Sequence, residues 1–259
     1  MQVKQMNMKI IVATHKEYRM PEDDLYLPVH AGKSVSKWKL PYQGDNTGKH
    51  ISKKNPNFCE LTALYWAWKN LDADYIGLCH YRRHFTVRKP LFFCEDKFPY
   101  VLTAEEAADL VARHDIILPK KRNYFIETGY SHYIHAHPAE ALDKTMEIIH
   151  KHYPEYDVAF DLVMNSSKGH RFNMFLMKKE ILDGYCSWLF GILSKLEKAL
   201  DISEYSDYDK RVFGFLAERL LDVYLVNNGL DYKEIDVMFM EQEHWVKKGL
   251  SFIKRIFIH

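Results

Sequence analysis

Residues 72–85 read DADYIGLCHYRRHF. Two aspartates open the stretch, Tyr75 to Cys79 is apolar, and His80-Tyr81-Arg82-Arg83 closes it. A short apolar run bounded by polar clusters is predicted to be a buried strand. Open parallel α/β sheets bind ligands outside the carboxyl ends of their strands, so chemistry is expected at His80 to Arg83. Asp72 and Asp74 imitate an Asp-x-Asp metal clamp. They precede the strand, however, and are expected at the opposite edge of the sheet.

Working outward, Lys9 to Thr14 is a β-branched run that ends at His15-Lys16. Asp115 to Leu118 is another short apolar run, followed by Pro119 and then Lys120-Lys121-Arg122. Three strand ends carrying cations predict a positive pocket, and arginine forks suit phosphate oxygens. Residues 17–57 lack helical periodicity, and Tyr42 to Gly48 is loop by its turn chemistry. Leu61, Leu64, Tyr65 and Trp68 recur at helical spacing, which predicts one amphipathic helix over 58–70. Asn57 is its expected cap and Glu60 a capping-box partner. Residues 85–102 are aromatic and read as a hairpin insertion, and Thr103 caps a helix over 104–113. Helices are predicted over 138–152, 155–165, 178–200 and 207–227, with strands over 171–177 and 234–239. This is an α/β pattern with a mostly helical C-terminal half. Residues 1–240 are expected to form a single domain.

The 259 residues carry 36 Lys and Arg against 35 Asp and Glu, which gives no support to a nucleic-acid binder. Four cysteines without a Cys-x-x-Cys pair read as reduced core residues of a cytoplasmic protein. No signal peptide is visible, and no run approaches the roughly 18 apolar residues of a membrane span. The tail 241–259 interleaves Trp245, Leu250, Phe252, Ile253, Ile256 and Phe257 with four cations. It is predicted to be an amphipathic helix, either docked on the core or lying peripherally on anionic lipid at the inner face of the cell membrane.

The glycine-rich dinucleotide and phosphate fingerprints and the Gly-x-Ser-x-Gly elbow are missing. His132, His135 and His137 lack the spacing of a zinc helix, so no metal site is assigned. The side-chain cations of His80, Arg82 and Arg83 can neutralise developing charge without a divalent ion. Candidate general bases are Asp157, Asp161, Asp207, Asp209 and Glu218. Asp209 and Glu218 enter the catalytic set with His80, Arg82 and Arg83, and the base itself stays open.

The phrases KIIVATHK, LPVHAGK, GDNTGKHISKKNPNFCELTALYWAWKN, DYIGLCHYRRHF, NMFLMKKEILDGYCSWLF and YDKRVFGFLAERLLDVYL follow in order. Together they resemble a family of bacterial glycosyltransferases from capsular and exopolysaccharide gene clusters. That family was formerly labelled a domain of unknown function, and some members are regarded as galactofuranosyltransferases. The resemblance implies a GT-A-like, Rossmann-like nucleotide-sugar fold, a UDP-sugar donor, a lipid-linked glycan acceptor, and no required cofactor. By position it implies donor or acceptor contacts from His15, Lys16, His30, Asp45, Thr47, Asn55, Glu60, Tyr81, Asn173 and Arg211. Tyr133 and His137 match a middle segment in which Ala141 stands where relatives carry an acid. Lys120 joins this set as a strand-end cation. A binding module without catalysis and a phosphoryl-transfer enzyme are the alternatives.

Overall fold

The computed structural model describes residues 6–88 and 94–241. The tail beyond residue 241 and the centre of the expected hairpin insertion, residues 89–93, lie outside the described residues.

β1 (Met8–Thr14) pairs in parallel with β2 (Tyr26–His30), and β2 with β3 (Gln43–Gly44). A single turn α1 (Asn55–Phe58) and then α2 (Leu61–Asn70) lead to β4 (Tyr75–His80), parallel to β1 on its other side. The chain reverses at Tyr81-Arg82 into β5 (Arg83–Thr86). α3 (Ala104–Val111), capped by the expected Thr103–Glu106 box, precedes β6 (Ile116–Pro119) and the short β7 (Arg122–Asn123). Then follow α4 (Gly129–Ile134), α5 (Ala139–His152), α6 (Asp157–Asn165) and β8 (Lys168–Gly169), which pairs with β7. β9 (Phe175–Lys178), α7 (Lys179–Ala199), α8 (Val212–Asn227) and β10 (Lys233–Phe239) complete the order.

The sheet is mixed rather than an open parallel one. β9 runs antiparallel to both β4 and β6, β10 is parallel to β6 and antiparallel to β5, and His80 pairs with Arg83. The pairings β4–β9–β6–β10–β5 therefore return to β4. This circuit brings the ends of β1, β4, β6 and β10 and the start of β9 to one edge. Asp74 sits at the other edge, where its carboxylate accepts the Asn7 backbone N–H at 2.9 Å.

β1 and β4 read as continuous apolar runs because the sheet is covered on both faces. Ile11, Ala13, Ile76 and Leu78 pack under the helices with Leu61, Leu64, Leu189 and Leu216. Ile10, Val12 and Cys79 face the opposite cluster with Leu25, Phe85, Leu102 and Ile117. α7 buries Leu182, Tyr185, Cys186, Leu189, Leu193 and Leu196, a stripe at three- and four-residue spacing.

Five expectations about individual elements change. The loop over 17–57 contains β2 and β3. The helix expected over 58–70 is broken at Cys59, whose backbone stands at φ 51°, ψ −130°. The capping box expected there does not form; the Asn57 amide donates instead to the Lys210 carbonyl at 2.9 Å. The strand expected over 171–177 begins only at Phe175, because Phe172 and Asn173 both hold positive φ, at 77° and 52°. The helix expected over 207–227 is divided into a 3-10 turn, Asp209–Arg211, and α8.

Candidate functional site

The turn after β1 is fixed locally: the Lys16 backbone N–H donates to Thr14 Oγ1 at 3.3 Å, and that hydroxyl donates to the Lys16 carbonyl at 2.7 Å. Tyr81, buried in the β4–β5 turn, is an aromatic base for three neighbours. Lys16 Nζ lies 5.1 Å and the Arg82 guanidinium 5.1 Å from its ring centroid, and the His15 ring meets it edge-on at 5.5 Å. Glu241, just after β10, holds its carboxylate between the two cations, 3.0 Å from Arg82 Nη1 and 3.8 Å from Lys16 Nζ. Burial lowers the His15 pKa, and Lys16, Arg82 and Arg211 lower it further.

Beside this crescent lies a more enclosed network. His80 Nε2 donates to the Phe172 carbonyl at 2.6 Å. Burial pushes the His80 pKa below its ordinary value; Glu60 opposes the shift and Arg83 adds to it. Both shifts favour the neutral imidazoles of His15 and His80 at pH 7, so the positive charge of the site comes from Lys16 and the arginines. This corrects the reading of His80 as a cation. Arg83 lies 4.3 Å from the Phe172 ring centroid, and Arg122 approaches the same ring at 4.8 Å.

The two left-handed residues aim the turn before β9. Asn173 Nδ2 donates to Glu60 Oε1 at 2.7 Å and to the Gly214 carbonyl at 3.0 Å. Glu218 on α8 accepts the Phe172 N–H at 3.1 Å and Arg171 Nη1 at 3.3 Å. The break at Cys59 frees the Glu60 side chain from the helix cap and turns it into the site. Arg211, the last residue of the 3-10 turn, donates Nε–H to Cys59 Sγ at 3.3 Å.

The remaining candidates divide. His137 is stacked 4.1 Å from Phe215 and 5.6 Å from Tyr208, with Asp209 Oδ1 3.4 Å from Nδ1. Asp209 also accepts from Ser206 Oγ at 2.6 Å, so it is tied into this wall. Tyr133 is fully buried beneath the Arg219 guanidinium, at 4.7 Å, and burial lowers the Arg219 pKa to about 10. Asp45 is fully buried and organises its own loop, accepting Gly32 N–H at 2.7 Å, Lys33 N–H at 3.0 Å and Ser52 Oγ at 2.5 Å. Thr47 accepts Trp66 Nε1 at 2.8 Å, and Asn55 ties the α1–α2 junction through the Cys59 carbonyl at 2.8 Å. His30 is buried under the same loop. Lys120 instead pairs with Asp236 on β10 at 2.9 Å. Among the described residues no group of three or more His, Cys, Asp or Glu could hold a metal ion.

Residues 9–229 match the family described as Domain of unknown function (DUF4422). The chain belongs to this family. Its fold is similar to the apo structure of WbbM, a bifunctional glycosyltransferase, with a TM-score of 0.83 and 35% identity. The match covers 92% of this chain and 46% of that one, so the chain spans about half the length of WbbM. No curated protein sequence matches the chain.

In this DUF4422 chain, sequence reasoning named Arg122 only within a basic run and missed Phe172, Glu241 and a buried strut. His170 is fully buried, with Asp222 2.5 Å from Nδ1 and Glu234 3.1 Å from Nε2. It anchors the start of the 170–174 turn. The basic run 120–122 does signal Arg122. Nothing local signals Glu241 or the strut, whose members are distant in sequence.

Proposed function

We propose that this chain is a glycosyltransferase domain with a GT-A-like donor site at the strand-end edge, transferring a sugar from a nucleoside diphosphate to a glycan hydroxyl. The observation that carries this reading is the Glu241 carboxylate lying between Lys16 and Arg82. The edge accommodates an anion between side-chain cations, and Arg83, Arg211 and Arg122 extend the positive surface. A diphosphate placed there is stabilised as it leaves. The fold shared with WbbM supports a glycosyl rather than a phosphoryl transfer.

Glu60 is the base best placed by this geometry. One of its oxygens is held by Asn173, and the other makes no hydrogen bond among the described residues. Both Glu218 oxygens are engaged by Arg171 and the Phe172 N–H, and Asp209 is engaged by Ser206 and His137. The acceptor oxygen attacks the anomeric carbon while the bond to the donor phosphate oxygen breaks. Its electron pair leaves with the diphosphate, and the acceptor proton passes to Glu60. A single displacement inverts the anomeric centre. The resemblance to galactofuranosyltransferases makes the furanose form of UDP-galactose the first donor to assay, with a lipid-linked glycan as acceptor.

The test is sugar transfer by the Arg82→Ala variant. Arg82 is half exposed and its loss leaves the core intact, so the variant is expected to stay folded with turnover or donor affinity reduced by about a hundredfold or more. Unchanged turnover would remove Arg82 from the donor site. Donor binding without any release of sugar by the parent protein would mark a binding module instead.

A further inference from the structure

The loop following β2 carries an exposed tryptophan between two lysines, Lys37-Trp38-Lys39. Trp38 keeps 71% of its surface exposed and Val35 49%. Tryptophan joins a large apolar body to a polar N–H, so one held out in water on a fixed backbone suits an amphipathic surface. Here it is fixed: Asp45 holds the Gly32 and Lys33 N–H groups, Ser34 N–H donates to Ser52 Oγ at 3.0 Å, and Trp38 N–H donates to Ser36 Oγ at 3.1 Å. From Leu25 to Gly44 the chain has no acidic residue and three lysines, Lys33, Lys37 and Lys39. None of the three forms a salt bridge among the described residues.

We propose that this loop is an interfacial anchor that seats the strand-end edge on a lipid surface with anionic headgroups. Tryptophan belongs at headgroup depth, and flanking lysines are attracted by the negative surface potential. The pairing of an aromatic ring with unneutralised cations suits that surface better than a protein groove, which would leave the lysines needing acidic partners. The turn after β7 projects a second apolar pair from the same edge, Phe125 at 74% and Ile126 at 80% exposure.

The experiment is flotation of the full chain with phosphatidylcholine vesicles, with and without about 30% phosphatidylglycerol. It reads binding without turnover, so it stands apart from the transferase reading. The parent is expected to float with the anionic vesicles only. Trp38→Ala and the double variant Lys37→Glu/Lys39→Glu should each weaken binding about tenfold, with unchanged melting temperature and unchanged turnover on a water-soluble acceptor. The parent-minus-Trp38→Phe emission should shift to the blue on adding anionic vesicles. Absence of flotation, equal flotation with uncharged vesicles, or equal flotation of parent and variants would overturn the anchor. So would loss of turnover on the soluble acceptor in Trp38→Ala, which would make the ring a glycan platform.

Discussion

Glu60 takes its place from three residues in an unfavourable backbone region. Cys59 before it and Phe172-Asn173 opposite it all hold positive φ, a region costly to residues with a Cβ. Local sequence favours a different outcome, a capped helix with Glu60 folded back on its own turn. The Asn173 contact at 2.7 Å competes with that cap and prevails because the turn before β9 lies alongside. Replacing Glu60 by Gln keeps an oxygen for Asn173 while removing the base. The variant is expected to lose about 10²- to 10⁴-fold in kcat, with donor KM and melting temperature nearly unchanged. Single-turnover transfer measures this, and a kcat within a few fold of the parent would move the base elsewhere. The strand-end residues His80 to Arg83 were legible because position in an α/β sheet follows from chain order. Their charges were not: burial makes His80 neutral, and burial is a property of the packed molecule.

At the scale of elements, the loop after β2 depends on Gly32. Its φ is 73°, and a Cβ there would meet Asn55 Oδ1 at 2.4 Å. Gly229, after α8, has a similar φ of 56° with nothing within 4 Å of a Cβ. Gly229→Ala should therefore cost only the left-handed conformation, about 1 kcal/mol. Gly32→Ala should cost about 1 to 3 kcal/mol more, because Asn55 holds the α1–α2 junction and has little room to yield. Urea unfolding of both variants gives the difference, and equal losses would show that Asn55 yields freely. The long helices were legible from their 3.6-residue periodicity, as α7 illustrates. β2 was not. Its sequence YLPVH contains a proline and lies in a segment rich in turn residues, so only pairing with β1 establishes the strand.

For the whole molecule, acid stability follows from a buried histidine. His84 lies wholly inside the core, against Tyr26 at 5.7 Å and Cys79 Sγ at 3.6 Å, and burial lowers its pKa to about 4. Below the ordinary value near 6.5 the unfolded chain takes up a proton that the fold refuses. Stability is therefore complete above about pH 6.5 and falls as pH drops toward 4, by about 3 kcal/mol from this group alone. His15, His30, His80 and His137 are lowered too and act in the same direction. Urea unfolding at pH 7 and pH 4.5 should show the loss, and His84→Gln should flatten it even though its stability at pH 7 is lower. An unchanged slope would assign the acid sensitivity to the other histidines.

The sequence alone determined much of the alternation of strands and helices, the edge at which His80 to Arg83 emerge, and the placing of Asp72 and Asp74 away from it. All of these depend on periodicity and chain direction, which are local. Tertiary structure decided the closed circuit of strands, the neutrality of His15 and His80, the release of Glu60 from its helix and the placing of Glu241 between Lys16 and Arg82. Each requires groups far apart in sequence to compete for one another's hydrogen bonds and to exclude water together, and no local pattern encodes that competition.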